Sequence, residues 1–191
     1  MSLQYAILGL LTYTAMTGYN LKTLFDKSIN HFWKASLSQI YRELSVLEEK
    51  GYVISEILPQ EDRPDKRVYN ITQEGEKAFH KWLADFPETL ISPKRDEFLV
   101  RIFFGKKLGK QEVKRQLNRY IDERKVFLES LNEMIKKLGR LVSQDVEEKD
   151  DPNVENEAFY WNLTVKRAQI ISEASIRWAE ESIKELEEIK E

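Results

Sequence analysis

Hydrogen-bonding side chains are concentrated on one side of residues 34–51, KASLSQIYRELSVLEEKG. The apolar residues of this stretch recur at helical spacing and predict a helix with one buried face. They are Leu37, Ile40, Tyr41, Leu44 and Leu47. The opposite face carries Ser38, Gln39, Arg42, Ser45 and Glu49. Hydroxyl, amide and guanidinium groups near the beginning of a helix can bond base edges and phosphates in the major groove of DNA. The alternative is a surface helix of an ordinary small domain.

The two ends of this predicted helix are marked by their residue types. Ser36 is a favourable N-cap, and Gln39 three residues later completes a capping box. Gly51 lies just beyond the last turn, where a left-handed C-cap is common. The amide of Gln39 cannot fully serve both the cap and a base, and the sequence leaves that choice open.

Catalytic chemistry has little support in the composition. The 191 residues include no cysteine and only two histidines, His31 and His80, and neither histidine lies beside a nucleophile or a cluster of metal ligands. A glycine-rich phosphate loop is also missing. We therefore predict that the protein is not an enzyme and needs no metal or other cofactor.

The apolar beginning of the chain, MSLQYAILGLLTYTAM, lacks a basic segment and is interrupted by polar residues well before the ~20 apolar residues that a membrane span needs. We expect a buried first helix here, no membrane association and a cytoplasmic protein.

The first 86 residues have the order of a winged helix-turn-helix domain. Helical periodicity predicts a helix at about 2–13 and a second helix after a turn at Thr17-Gly18-Tyr19. After the helix at 34–51, β-branched stretches at 52–58 and 67–72 predict two strands around a proline-containing loop. Thr72 then caps a helix that Pro87 ends. Three helices, two strands and a further helix define this fold.

The second half of the chain predicts two long helices. Residues 110–142 carry an apolar seam with heptad spacing, and a final helix is expected at about 153–188. Residues 101–140 hold 12 basic and 5 acidic groups, whereas residues 144–191 hold 6 basic and 14 acidic groups. Opposite charges favour packing between the two helices, within a chain or between chains. We expect a dimer, and the alternative is an intrachain hairpin without dimerisation.

The predicted fold class is mostly α with a small two-stranded β wing. The expected domains are a winged helix-turn-helix at 1–86, a junction with a short helix at 87–109, and a domain of long antiparallel helices at 110–191 that forms the dimer. The predicted dimer contacts come from both long helices. They are Leu117, Tyr120, Phe127, Leu131, Met134, Leu138, Leu163, Ile171 and Trp178.

Seven short segments in register resemble the DNA-binding domain of the PadR family of bacterial transcriptional regulators. They are Leu8-Gly9-Leu10-Leu11, Thr17-Gly18-Tyr19-Asn20-Leu21, Phe32-Trp33-Lys34-Ala35-Ser36, Gln39-Ile40-Tyr41-Arg42-Glu43-Leu44, Leu47-Glu48-Glu49-Lys50-Gly51, Arg63-Pro64-Asp65-Lys66-Arg67-Val68-Tyr69 and Ile71-Thr72-Gln73-Glu74-Gly75. The carboxy-terminal half resembles the virulence-activator type of helical tail found in larger members of this family.

This resemblance implies a homodimeric repressor that binds a pseudo-palindromic double-stranded DNA operator through a recognition helix in the major groove and a wing on the adjacent backbone or minor groove. On that hypothesis Gln39 contacts adenine, and Arg42 contacts guanine or a phosphate. Further phosphate contacts are expected from Ser36, Ser38, Tyr41, Lys34 and Tyr19. The basic wing residues Arg63, Lys66 and Arg67 match a phosphate footprint, although neighbouring acids oppose it.

The resemblance also implies a small aromatic effector in some members of the family. Trp82, Trp161 and Trp178 are the candidates for lining such a site, and the alternative is that they are core residues. The competing function for the whole chain is a winged-helix protein-interaction module without DNA binding, which the near-neutral balance of residues 1–86, with 10 basic and 11 acidic groups, keeps open. Activation in place of repression is also left open.

Overall fold

A computed structural model describes residues 2–59, 65–85, 96–145 and 152–189. It describes the side chains of these residues except those of 2, 137–145 and 152–156. The chain divides into two compact units, Met1–Ile91 and Ser92–Glu191. In the described ranges, no helix combines the length and the apolar character that crossing a membrane requires.

The first unit contains four helices and three short strands. In chain order they are α1 Ser2–Leu11, β1 Met16–Thr17, α2 Gly18–Ser28, α3 Leu37–Glu49, β2 Val53–Leu58, β3 Lys66–Ile71 and α4 Gln73–Ala84. The strands form one antiparallel sheet in the order β1-β3-β2, with Val53 opposite Ile71 and Leu58 opposite Lys66. The mostly helical, winged fold predicted from the sequence is confirmed.

A third strand is the main departure from the two-stranded wing that we expect from the sequence. Met16 pairs with Tyr69 and Thr17 pairs with Val68, where the sequence predicts only a turn. Two residues are too few to show the period-two alternation by which a strand is recognised. The same Thr17 then caps α2, because its hydroxyl accepts a hydrogen bond from the backbone N–H of Asn20 at 3.1 Å.

One apolar core joins the helices of the first unit to its sheet. Its fully buried members come from α1, α2, α3 and the strand β2, and they include Ile7, Leu8, Leu11, Leu21, Phe25, Ile40, Leu44, Leu47 and Val53. The partly buried Phe79 of α4 packs against the same core. Removal of this apolar side-chain area from water is the main force that holds the helices against each other.

The junction between α3 and α4 depends on close backbone approach. Gly51 has φ +71° and ends α3 in a left-handed conformation that favours glycine. Thr72 donates its hydroxyl to the Gly51 carbonyl at 2.7 Å and its N–H to the Tyr52 carbonyl at 3.0 Å. A Cβ placed on Gly75 would lie 2.1 Å from that Tyr52 oxygen, so only glycine fits in the first turn of α4.

The second unit is built on a pair of long helices. Its elements are α5 Glu97–Phe103, a 3-10 turn Gly105–Lys107, α6 Lys110–Asp145 and α7 Pro152–Glu188. Lys114 near the beginning of α6 forms an ion pair with Glu187 near the end of α7, and Asn132 accepts a hydrogen bond from Gln169 at 2.7 Å. The two helices are therefore antiparallel partners within one chain.

We predict that Gly75→Ala destabilises the first unit by about 1–3 kcal/mol, because the new methyl group must displace the backbone carbonyl of Tyr52. Thermal unfolding followed by circular dichroism measures this loss. The matched control is Glu76→Ala, an exposed neighbour in the same helix turn, which should stay within about 0.5 kcal/mol of the wild type. Equal stability of the two variants would contradict the close approach.

Candidate nucleic-acid interface

The orientation of α3 is set by its buried face. Ile40, Leu44 and Leu47 have 0% exposure, so this side of the helix cannot turn towards solvent. The opposite side exposes the polar residues Ser38, Gln39, Arg42, Ser45 and Glu49. The amino-terminal turns of this exposed face carry hydroxyl, amide and guanidinium groups, which is the chemistry expected of a helix that enters the major groove.

The beginning of α3 is held by a complete capping box. The Ser36 N–H donates to Gln39 Oε1 at 2.8 Å, and the Gln39 N–H donates to Ser36 Oγ at 3.2 Å. The Ser38 hydroxyl lies 3.0 Å from Ser36 Oγ. Gln39 therefore uses its carbonyl oxygen for the cap and keeps Nε2 as a donor. A two-point contact with adenine needs both atoms, so Oε1 would have to accept a second hydrogen bond beside the one from Ser36.

Tyr41 connects α3 to the first turn of α2. A Cβ placed on Gly18 would lie 2.4 Å from Cε1 of the Tyr41 ring, so the ring covers this glycine closely. Tyr41 is still 41% exposed. Tyr19, which follows Gly18 in the chain, is 67% exposed. The contact between Gly18 and Tyr41 therefore places the first turn of α2 against α3. Lys34 is exposed in the connection between these two helices.

Arg67 of β3 is held by several partners although 52% of its side chain is exposed. Its Nη2 donates to Glu48 Oε2 at 2.7 Å, its Nε donates to Ser55 Oγ at 2.8 Å, and its guanidinium carbon lies 5.4 Å from the centroid of the Tyr69 ring. The hydrogen bond from Ser55 and the ion pair with Arg67 lower the pKa of Glu48 below its ordinary value. Sequence reasoning missed this partner, because Glu48 and Arg67 are 19 residues apart.

Two other predicted cationic contacts, Lys66 of the wing and Arg42 of α3, are largely exposed. Lys66 is exposed at the beginning of β3, and its ammonium group makes none of the ion pairs found among the described residues. Arg63 lies outside the described residues. Arg42 projects from α3 with its Nη2 3.6 Å from Glu43, a loose contact that leaves most of its side chain in solvent.

A second group of polar contacts that the sequence did not reveal ties α3 to α1. Gln4 donates to Glu43 at 2.7 Å and accepts from Lys50 at 2.9 Å, so one side chain of α1 bridges a residue of α3 and the residue that caps its end. Helical periodicity shows only which faces are apolar, and therefore it gives no signal for such a bridge.

The predicted dimer contacts separate into buried and exposed groups within the second unit. Leu117 and Leu131 are fully buried by their own chain, which assigns them to the hairpin core. Tyr120, Phe127, Met134 and Trp178 are half-buried, whereas Leu163 and Ile171 are 48% and 41% exposed. Leu138 lies on α6 where side chains are not described. Exposed apolar positions are the ones available to a second chain.

The three tryptophans proposed for an effector site do not share one environment. Trp82 of the first unit stacks on Tyr5 with the ring centroids 4.8 Å apart. In the second unit Trp178 meets Phe98 and Tyr120 edge-to-face at 6.3 Å and 6.0 Å. Trp161 is half-buried on α7. The described residues contain no group of three or more His, Cys, Asp or Glu side chains that could hold a metal ion.

Comparison with known proteins agrees with this geometry. Residues 7–81 match the transcriptional regulator PadR-like family, and residues 94–187 match the family described as virulence activator alpha C-term. The negative transcriptional regulator PadR of Bacillus subtilis (strain 168) is 32% identical over 139 residues, which cover 71% of this chain and 74% of that protein.

Solved structures of relatives have the same fold over nearly the whole chain. The crystal structure of Bacillus subtilis PadR in complex with operator DNA gives a TM-score of 0.77 at 25% identity and covers 97% of this chain and 99% of that one. The virulence activator AphA of Vibrio cholerae gives a TM-score of 0.68 at 28% identity, with 97% and 98% covered.

The fold, the exposed polar face of α3 and these similarities define a winged helix-turn-helix transcriptional regulator. The chain belongs to the PadR-like family of transcriptional regulators, and it carries the helical carboxy-terminal region of the virulence-activator type. The resemblance read from the seven sequence segments is therefore confirmed.

We predict that the sign of Gly18→Ala depends on Tyr41. In the wild-type background the new methyl group displaces the Tyr41 ring and lowers the free energy of unfolding by about 1–2 kcal/mol. In a Tyr41→Ala background the same change has open space and should be neutral or stabilising, because alanine favours helix by up to about 1 kcal/mol over glycine. Urea unfolding of the four proteins measures this double-mutant cycle, and additive effects would contradict the contact.

Proposed function

We propose that this protein is a homodimeric repressor that binds a pseudo-palindromic DNA operator through α3 and the β2–β3 wing. The observation that carries this proposal is the exposed amino-terminal half of α3, capped by Ser36 and fixed in rotation by its buried face. The Bacillus subtilis relative has been crystallised with operator DNA, which supports the same class of ligand here. The protein acts by binding, not by catalysis, and its site of action is the cytoplasm.

Different residues have different parts in the proposed complex. Gln39 and Arg42 face the base edges, and Arg42 is the better placed of the two because its guanidinium is not committed to the cap. Ser36, Ser38, Tyr41, Tyr19 and Lys34 contact phosphates around the entry of the helix. Lys66, with Arg63 beyond the described residues, supplies positive charge from the wing.

The second chain of the dimer is proposed to cover the outer face of α7. Val165 and Ala179 are buried against α6, whereas Leu163 and Ile170 lie two turns apart on the opposite side and are 48% and 57% exposed. An apolar column of this kind on an amphipathic helix favours a second helix as its partner. A dimer also supplies the second recognition helix that a short operator half-site requires.

A small aromatic effector is proposed to act on the second unit. Phe98 and Tyr120 stack there with ring centroids 4.5 Å apart, and the same cleft is lined by Arg115, Arg119 and Arg124 together with the acids Asp96 and Glu123. Aromatic faces and guanidinium groups suit an aromatic carboxylate. The Bacillus subtilis relative has been crystallised with p-coumaric acid, at a TM-score of 0.72 and 25% identity. The effector would shift the population of dimers towards a half-site spacing that fits the operator poorly.

We predict that Gln39→Glu separates base reading from helix capping. Glutamate preserves the capping box but removes the Nε2 donor, so thermal stability is kept while discrimination between operator and random DNA falls by about 1–3 kcal/mol. Gel shifts on a fragment from upstream of the protein's own gene, with random DNA as reference and salt varied from ~50 to ~200 mM, measure the specific and the non-specific affinity. If the wild type shows no salt-dependent binding to either DNA, a protein-interaction module would be favoured instead.

We predict that Leu163→Glu weakens the dimer by at least about tenfold, because a carboxylate buried against a second chain is unfavourable. Asn162→Glu is the matched control, since it adds the same charge at a neighbouring exposed position of α7. Sedimentation velocity over a concentration series gives the two dissociation constants. Equal constants for both variants would place the dimer contact elsewhere.

A further inference from the structure

Arg67 joins three elements of the first unit at one point. Its guanidinium group reaches Glu48 of α3 at 2.7 Å and Ser55 of β2 at 2.8 Å, although Arg67 itself belongs to β3. Ser55 completes the triangle by donating its hydroxyl to the other carboxylate oxygen of Glu48. One planar side chain therefore ties both strands of the wing to the carboxy-terminal half of the recognition helix.

The orientation of this guanidinium group is restrained from a second direction. Its carbon lies 5.4 Å from the centroid of the Tyr69 ring, and Tyr69 is itself only 4% exposed. A cation over an aromatic face is attracted to the ring, and the buried ring cannot move to follow it. Arg67 is thus held between a fixed ring and a carboxylate of α3.

Among the described residues, the outer part of the wing has few apolar side chains buried in the core. Val53 and Tyr69 are buried in the core, whereas Ile57, Leu58 and Lys66 towards the tip are exposed. The backbone ladder joins β2 to β3 but does not join either strand to α3. Arg67 lies opposite Ile57, nearer the tip than the buried Tyr69, and its bonds to Ser55 and Glu48 therefore tie an outer position of β3 back to α3.

We propose that Arg67 is a positioning residue that sets the angle between the wing and the recognition helix through Glu48, and that it is not a phosphate contact. This inference rests on the proposed DNA binding. The positive charge of Arg67 is already balanced by Glu48, so Arg67 neutralises little phosphate charge and releases few counterions. Arg67 contributes by holding α3 and the β2–β3 wing in their bound arrangement before DNA binds. This lowers the entropic cost of ordering the two elements on binding.

The salt dependence of DNA binding distinguishes positioning from phosphate contact. We expect Arg67→Met to weaken binding to the upstream fragment by about three- to tenfold at every salt concentration, with an unchanged slope of log affinity against log salt. Lys66→Met is the matched control, and it should lower that slope by about one. A slope for Arg67→Met that falls as it does for Lys66→Met would overturn the inference.

The partner residue provides a second test. Glu48→Ala should reproduce the loss caused by Arg67→Met, and the double variant should lose no more than either single variant, because both remove one tie. Glu76→Ala, which removes an exposed carboxylate from α4 outside the proposed interface, should bind like the wild type. Arg67→Lys should not restore binding, since a single ammonium group lacks the planar two-point geometry. Tighter binding by Glu48→Ala would show instead that Glu48 withholds Arg67 from a phosphate.

The pH dependence of stability reports on the tie without DNA. Hydrogen bonding to Ser55 and pairing with Arg67 lower the pKa of Glu48 in the folded protein, so the stabilisation is present above the ordinary carboxyl pKa and disappears as pH falls through the lowered value. The stability difference between the wild type and Glu48→Ala should therefore shrink with acidification.

If the wild type binds no DNA, the proposed function fails while this measurement still tests the tie. A difference independent of pH would refute the tie itself.

Discussion

The proposed DNA-reading surface of this protein depends on the burial of one side of α3. Ile40, Leu44 and Leu47 are inaccessible to solvent beneath α1 and α2, so rotation of the helix would expose apolar area and is strongly disfavoured. That constraint makes the outward direction of Gln39 and Arg42 a consequence of the core. The capping box at Ser36 then fixes where the helix begins, and Gly51 fixes where it ends.

Contacts between distant residues convert this single helix into a larger rigid surface. Tyr41 lies on Gly18 of α2, and Glu48 binds Arg67 of β3, so both neighbours of the recognition helix are attached to it by side chains. The attached groups include an aromatic ring and a charge pair, which can be replaced singly without removing the core. Each of these attachments can therefore be tested by a single substitution.

The long helices show how one apolar pattern can serve two purposes. The heptad seam of α6 predicted a dimer, yet Leu117 and Leu131 of that seam are buried by α7 of the same chain. The surface that we propose for a partner is the outer column of α7, where Leu163 and Ile170 are exposed. A heptad pattern indicates that a helix face must be covered, but the covering helix can belong to either chain.

Local rules were sufficient wherever the signal lay within a few residues of the chain. The sequence alone determined the helices, the capping box of Ser36 and Gln39, the two main strands and the family, because propensity, capping and periodicity act over one or two turns. Only the tertiary structure decided that Thr17 enters a third strand, that the Tyr41 ring covers Gly18 and that Arg67 pairs with Glu48. Those outcomes depend on which groups the folded core brings within hydrogen-bonding distance, and sequence spacing carries no record of that distance.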